Sequence, residues 1–217
     1  MYRGQHYRPR PEVLSSENED ILVICTPWGP KSLCKSVSDQ IKNHYLSSQQ
    51  DIEFTSPFER LSGLNKIEND LRTSIFLANQ SLYKSENKED YVGGCEVFAA
   101  VFDSNIIYWA QVGSPALYLL RGKKVIPLNH SLDYSFDYSN ETHLPSLPKK
   151  LLGIYDRIDL QINSFRLQQN DHLLWASHNF FPDMLKNLES LSLDSIMTRI
   201  TQEYSQHSFW MGLKKIS

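Results

Sequence analysis

The chain has 217 residues, 41% hydrophobic and 12% aromatic, which is enough to bury a core and fits one domain over 1–217. Its formal charge of −3 gives no electrostatic basis for binding nucleic acid or an anionic membrane. No apolar run approaches the roughly 20 residues of a membrane span, and residues 1–11 lack the apolar stretch of a secretory signal. We therefore expect a cytoplasmic protein that binds neither nucleic acid nor a membrane.

The three cysteines, Cys25, Cys34 and Cys95, are an odd number with neither a CxxC spacing nor a Cys/His cluster. Each lies among apolar residues. Buried thiols in a reducing compartment are therefore the expectation, rather than disulfides or a metal site.

A strand and two helices are predicted in the N-terminal part of the chain. Residues 1–20 are polar and contain two prolines, so this segment is expected to be irregular. The continuous apolar run at 21–25 is typical of a buried strand. Two helical stripes follow at 33–45 and 64–82, in which apolar residues recur about one helical turn apart.

The pattern changes to β structure after Gly93. Four β-rich runs separated by short polar turns predict an antiparallel meander at 96–102, 106–112, 116–120 and 124–128. Beyond an expected loop at 133–148, the remaining elements are two strands, two helices and a last strand, at 158–167, 172–177, 183–188, 193–204 and 209–216. This order predicts an α+β fold in which antiparallel sheet dominates.

Residues 107–123, IYWAQVGSPALYLLRGK, are similar to an apolar strand followed by A-N-V-G-D-S-R-A-Y-L and a turn, the hairpin of the PPM family of type 2C metal-dependent Ser/Thr protein phosphatases. Further fragments, before and after this hairpin, occur in the same order as in the family, and the whole resemblance covers residues 4–216. They are 22–30 for F-V-V-A-D-G-M-G-G, 130–132 for D-H-S-L and 170–177 for G-D-x-L-L-L-C-S. The resemblance implies a four-layer α-β-β-α sandwich, two antiparallel sheets flanked by helices.

PPM phosphatases are expected to work by two-metal catalysis, in which Mg²⁺ or Mn²⁺ ions bind the phosphate and activate a bridging water. Two dications about 4 Å apart repel by roughly 16 kcal/mol, even at an effective dielectric of about 20. Only a cluster of carboxylates holds such hard cations together. The family's activity therefore depends on its aspartates.

The resemblance implies aspartates at four places, and this chain replaces all four. The replacements are Val13 in the N-terminal R-x-x-N-E-D motif, Thr26–Pro27 for the Asp-Gly after the first core strand, His178–Asn179 for the Asp-Gly of Ser-Asp-Gly, and His207–Ser208 for the Asp-Asn before the last strand. Ser114 replaces the aspartate of the G-D-S-R turn, while Arg8 keeps the arginine that binds phosphate in the family. We therefore expect a catalytically inactive pseudophosphatase without Mg²⁺ or Mn²⁺, which acts as a protein-binding regulator or scaffold in signalling.

Two other functions remain open. A divergent metal-dependent phosphoprotein phosphatase would use a rebuilt site, drawing on the loop acids Asp133, Asp137 and Glu141 or on histidines. A phospho-ligand-sensing domain without turnover would use Arg8, Thr26 and Ser114.

His178 and His207 replace aspartates of one family metal, so the two imidazoles form a candidate Zn²⁺ site. Surface or hydrogen-bonded histidines are the simpler alternative, because no third ligand is evident. Both alternatives follow from the resemblance alone.

Three aromatic residues follow the replaced motifs. Trp28 comes after Thr26–Pro27, and Phe180 and Phe181 come after His178–Asn179. In the family fold these two loops border one cleft. The rings either fill the space that metals and water would occupy or form an apolar partner surface.

Overall fold

The protein is described from a computed structural model, which covers residues 8–16, 18, 20–50, 57–134, 147–179, 191–203 and 208–216. The predicted helix at 183–188 and the side chains of Asp137, Glu141, Phe180, Phe181 and His207 lie outside the described residues.

The chain divides into two compact units, each with its own sheet. The five-stranded unit comprises Pro11–Val112 and Lys150–Arg166, and the four-stranded unit comprises Met1–Arg10, Gly113–Lys149 and Leu167–Ser217.

The strands of the described residues are β1 (Glu12–Ser15), β2 (Ile21–Trp28), β3 (Gly94–Asp103), β4 (Ile106–Val112), β5 (Ala116–Arg121), β6 (Lys124–Pro127), β7 (Gln161–Arg166), β8 (His172–Ala176) and β9 (Met211–Lys215). The α-helices are α1 (Lys31–Gln50), α2 (Lys66–Ser81) and α3 (Leu193–Glu203). Every strand pair is antiparallel, in the orders β1-β2-β3-β4-β7 and β6-β5-β8-β9. The predicted α+β class with two antiparallel sheets is confirmed.

The expectation that all of 1–20 is irregular is wrong, because β1 lies within this segment. Val13 of β1 pairs with Ile24 of β2, at the edge of the five-stranded sheet. The four residues of β1 carry no apolar alternation of their own, and its Val13 side chain is 59% exposed. Pairing with a long neighbouring strand, rather than local propensity, accounts for this strand.

The predicted four-strand meander is also wrong. β3 pairs with β4 and β5 pairs with β6, but β5 takes β8 as its other neighbour in a separate sheet. The chain changes sheets at a turn that begins with Gly113, whose φ is +93°. Turn residues between two strands do not determine which partner the second strand finds.

The core of the five-stranded unit lies between α1, α2 and one face of the sheet. The helices contribute the predicted stripes, and β2 and β3 contribute every second residue. The main members are Leu33, Val37, Ile41 and Tyr45 from α1, Leu71, Ile75 and Ala78 from α2, and Ile21, Val23, Val97 and Ala99 from the sheet. Both predicted helical stripes are thereby confirmed.

After α2 the chain makes a π-helical turn, Leu82–Glu86, and ends it at Asn87. The Asn87 amide donates hydrogen bonds to the carbonyl oxygens of Gly93 (2.8 Å) and Gly153 (2.7 Å), and its oxygen accepts one from the Val92 N–H (2.9 Å). This side chain therefore holds the segment that leads into β3 against the segment around Gly153.

The four-stranded unit has its own core, in which α3 packs against the sheet. Ile196 and Ile200 of α3 lie with Tyr118, Leu174 and Phe209, all of them buried. The helix predicted at 193–204 is confirmed through Glu203. Of the helices that the structure describes, none combines the length and the apolar character that crossing a membrane requires.

Candidate functional site

Thr26 and Pro27 lie near the end of β2, in the five-stranded unit. Thr26 is fully buried, and its Oγ1 has no hydrogen-bond partner among the residues that the structure describes. Its cross-strand neighbour is Glu96 of β3, so both side chains lie on the same face of the sheet. Because side chains alternate along a strand, this is the face opposite to Cys25 and the helices.

Glu96 is a buried carboxylate on a strand that is otherwise almost entirely apolar. Its Oε2 accepts a hydrogen bond of 2.9 Å from the indole Nε1 of Trp28. Trp28 is therefore fixed by a partner in its own unit. Sequence reasoning overlooked Glu96, although a lone acid in a buried strand signals a required partner.

Arg8 belongs to the four-stranded unit, where its side chain is only 1% exposed. Its Nη2 donates a hydrogen bond of 2.5 Å to the carbonyl oxygen of Ser177, and its Nη1 lies 3.9 Å from Asp133 Oδ2. The residue is therefore a buried cation with a carboxylate beside it, and not a solvated arginine of a mobile tail.

Asp133 brings two of the candidate site residues together. Its Oδ2 accepts a hydrogen bond of 3.3 Å from Ser114 Oγ and faces Arg8, while its Oδ1 accepts one of 2.9 Å from the Leu147 N–H. The carboxylate is fully buried. We call Arg8, Ser114 and Asp133 the arginine cluster.

His178 is buried beside the arginine cluster's carbonyl partner, Ser177. Its Nδ1 lies 2.8 Å from Ser177 Oγ, so the histidine is hydrogen-bonded and 4% exposed, not a surface residue. Asn179 is half-buried and Ser208 is buried. The zinc alternative stays a prediction, since His207 is not among the described residues.

Asp171 has a structural partner as well. Arg121 donates two hydrogen bonds to its carboxylate, Nε to Oδ1 at 2.9 Å and Nη2 to Oδ2 at 2.7 Å, and the Gln168 N–H adds a third at 2.7 Å. The Arg121 hydrogen bonds hold the pKa of Asp171 below its usual range, against the opposing effect of burial. This acid stabilises the turn before β8.

The three cysteines meet in the core of the five-stranded unit. Cys34 Sγ lies 2.6 Å from Cys25 Sγ and 3.5 Å from Cys95 Sγ, and all three side chains are buried and free of disulfides. Burial raises the pKa of Cys25, whereas S–H donation from Cys25 and then from Cys34 lowers the pKa of Cys95. The expectation of buried thiols is confirmed, but their convergence was not foreseen.

No family model and no curated protein matches the sequence. Solved structures do match it over nearly the whole chain. A bacterial serine phosphatase is 19% identical with a TM-score of 0.72, over 99% of this chain and 94% of that one. The PPM Ser-Thr phosphatase MsPP from Mycobacterium smegmatis is 12% identical with a TM-score of 0.66, over 97% and 94%.

The chain has the PPM phosphatase fold. A third structure with this fold, PppA of Pseudomonas aeruginosa, described as a key regulatory component of T6SS, is 14% identical with a TM-score of 0.65, over 95% of this chain and 90% of that one. The resemblance deduced from the hairpin and turn motifs is thus confirmed at the level of the fold.

The PPM pattern directed attention to replaced aspartates, and the structure places those positions in both units. Val13, Thr26, Pro27 and Trp28 belong to the five-stranded unit, and Arg8, Ser114, His178, Asn179 and Ser208 belong to the four-stranded unit. The pattern did not reveal which residues would neutralise Arg8 or bind Trp28. Those residues are Asp133 and Glu96.

Proposed function

We propose that this PPM-fold chain is a catalytically inactive pseudophosphatase that binds a partner protein as a regulator or scaffold. The observation that carries the proposal is the arginine cluster. The arginine that would bind phosphate in an active PPM enzyme has its charge balanced by Asp133 and one N–H group bound to Ser177. A phosphate would have to compete with a buried carboxylate of the chain itself.

The replaced aspartates support the same conclusion. Thr26 offers a neutral hydroxyl and His178 an imidazole that already has a hydrogen-bond partner. Neither provides the negative charge that offsets the repulsion between two closely spaced dications. Two buried acids, Glu96 and Asp133, already have partners within their own units. Glu96 is bonded to Trp28, and Asp133 faces Arg8.

Partner binding requires exposed anchor residues, and the five-stranded unit has two exposed tyrosines on neighbouring segments. Tyr91 and Tyr155 are 69% and 62% exposed. Their segments are held near each other by Asn87, which bonds to Val92 and Gly153. Exposed aromatic residues are frequent anchors of protein interfaces. PppA, which has the same fold, is a regulatory component, and this is a precedent for such a role.

The catalytic part of the proposal is tested with p-nitrophenyl phosphate and phosphopeptides in the presence of Mg²⁺ or Mn²⁺. We expect no turnover above that of a buffer blank, and no phosphopeptide binding by calorimetry. Turnover that EDTA abolishes would overturn the proposal in favour of a rebuilt site. Loss of that turnover in Glu96→Gln or Asp133→Asn would then identify the new carboxylates. Phosphopeptide binding without turnover would instead favour a phospho-ligand sensor.

The partner-binding part is tested by cross-linking the tagged chain in its source cells. We expect Tyr91→Ser with Tyr155→Ser to lose the cross-linked protein that the unchanged chain captures. Tyr134→Ser is a matched control, because this tyrosine is 48% exposed but belongs to the four-stranded unit. Equal capture by all three chains would contradict the proposed surface.

A further inference from the structure

Three thiols from distant parts of the sequence converge in one place. Cys25 comes from β2, Cys95 from β3 and Cys34 from the first turn of α1. Their sulfur atoms all lie within 4.8 Å of one another. Pro27 pairs with Cys95 and Cys25 pairs with Val97, so the two strand cysteines are diagonal neighbours on the helix-facing side of the sheet.

The thiols are closer than ordinary packing requires. Non-bonded heavy atoms pack at roughly 3.5–4.0 Å. The 2.6 Å between the sulfurs of Cys25 and Cys34 is shorter than this, and the 3.5 Å between Cys34 and Cys95 is at its lower limit. Three sulfur atoms that converge in one buried place form a donor set for a soft metal ion.

We propose that Cys25, Cys34 and Cys95 bind a single thiophilic metal ion through three thiolates. With metal–sulfur bonds of about 2.3 Å, three sulfurs in a trigonal arrangement lie roughly 4 Å apart. The three sulfurs all lie within 4.8 Å of one another, and the Cys25 and Cys34 sulfurs, now 2.6 Å apart, would separate by about 1.4 Å on metal binding.

The ligand set selects the metal. Thiolates are soft ligands, which exclude Mg²⁺ and Mn²⁺ and suit Cu⁺ or Zn²⁺. Structural Zn²⁺ sites take four ligands, and the described residues supply only three. Cu⁺ is therefore the ion class that the site fits best. The N-terminus of α1, near Cys34, contributes partial positive charge that offsets the thiolates.

This site is independent of the proposed function. It lies on the opposite face of β2 from Thr26, so it owes nothing to the aspartate positions of the PPM pattern. The sulfurs are buried beneath the helices, so the ion would be incorporated as the unit folds. Its role would be to join β2, β3 and α1.

The test uses reduced, metal-free protein under anaerobic conditions, titrated with Cu⁺ against a competing Cu⁺ chelator. We expect one equivalent to bind per chain, with a near-ultraviolet thiolate charge-transfer band and a higher melting temperature. X-ray absorption should then show three sulfur neighbours around copper. Absence of binding, two or fewer sulfurs, or tighter binding of Zn²⁺ than of Cu⁺ would each overturn the assignment.

Substitutions separate ligation from packing. Cys95→Ser should lower the Cu⁺ affinity by roughly 100-fold or more. Removing a metal ligand should lower the affinity at least as much as removing a residue that only hydrogen-bonds to a ligand. Ala99→Ser is the matched control, because it also places a hydroxyl on β3 in the same buried core. We expect it to retain the site. Unchanged affinity in a folded Cys95→Ser chain would overturn the proposal.

Discussion

Breaking the arginine cluster should destabilise the protein strongly, because its charges are buried. The distance of 3.9 Å between Arg8 Nη1 and Asp133 Oδ2 corresponds to about 4 kcal/mol of attraction at an effective dielectric of about 20. Removing one partner leaves the other as an uncompensated buried charge, which costs about 3–5 kcal/mol. We therefore expect Arg8→Met and Asp133→Asn each to lower the free energy of unfolding by about that amount.

The double substitution distinguishes this explanation from simple loss of packing. With both charges removed, no unpaired ion remains, so the double variant should be about as stable as either single variant. The coupling energy from the double-mutant cycle should then be about 3 kcal/mol or more. The measurement is urea unfolding followed by fluorescence, since Trp175 and Trp210 lie in the same unit as the cluster.

An exposed ion pair provides the control for this cycle. Lys150 Nζ lies 2.6 Å from Asp159 Oδ2, but the Asp159 side chain is 90% exposed, so solvent screens the pair. We expect Lys150→Met to leave stability almost unchanged. A coupling energy below about 0.5 kcal/mol between Arg8 and Asp133 would show that solvent screens this pair as well. That result would refute the explanation by buried charges.

Three further predictions concern single positions. Thr26→Val should raise the free energy of unfolding by about 1 kcal/mol in urea titrations, because the buried hydroxyl has no partner in the described part of the chain; a loss of stability would show that it has one. Gly153→Ala should cost about 2 kcal/mol or more, since φ is +88° and the new Cβ would clash with Leu82; unchanged stability would contradict this. Arg121→Met should raise the pH midpoint of acid unfolding, followed by circular dichroism. Because Arg121 lowers the pKa of Asp171 in the folded state, the ionised carboxylate stabilises the fold at pH values above the unfolded-state pKa of about 3.9. This stabilisation is lost as the pH falls through the folded-state pKa, and Arg121→Met removes it. Identical midpoints for the two chains would refute this explanation.

The elements that the sequence predicted well are those with a strong local period. The stripes of α1 and α2 are visible because each helix presents one regular face to a core. The apolar runs of β3 and β4 are visible because these strands are buried on both faces. Two features could not be predicted from the sequence, because each depends on which neighbouring strand a strand pairs with. β1 owes its pairing to β2, and β5 pairs with β8 after the chain leaves β4 at Gly113.

The candidate site shows the same limit. The sequence motifs predict which positions differ from the family pattern, since each motif fixes the residue type at one position. Contacts between distant residues cannot be predicted in this way, and they determine what the remaining groups do. Arg8 and Ser177 are 169 residues apart and Trp28 and Glu96 are 68 apart. The cysteine cluster was missed for the same reason, because its three members share no short motif.

These partnerships bear directly on whether a rebuilt metal site is plausible. A carboxylate that binds a dication must first give up its present donors. For Asp133 these include the Arg8 guanidinium, Ser114 and the Leu147 N–H, and for Glu96 the Trp28 indole. Moving Asp133 to a metal would leave Arg8 as a buried cation close to further positive charge. These donors compete with a metal ion for the same oxygens, so a rebuilt two-metal site, the alternative to the proposed function, would require the arginine cluster to change first.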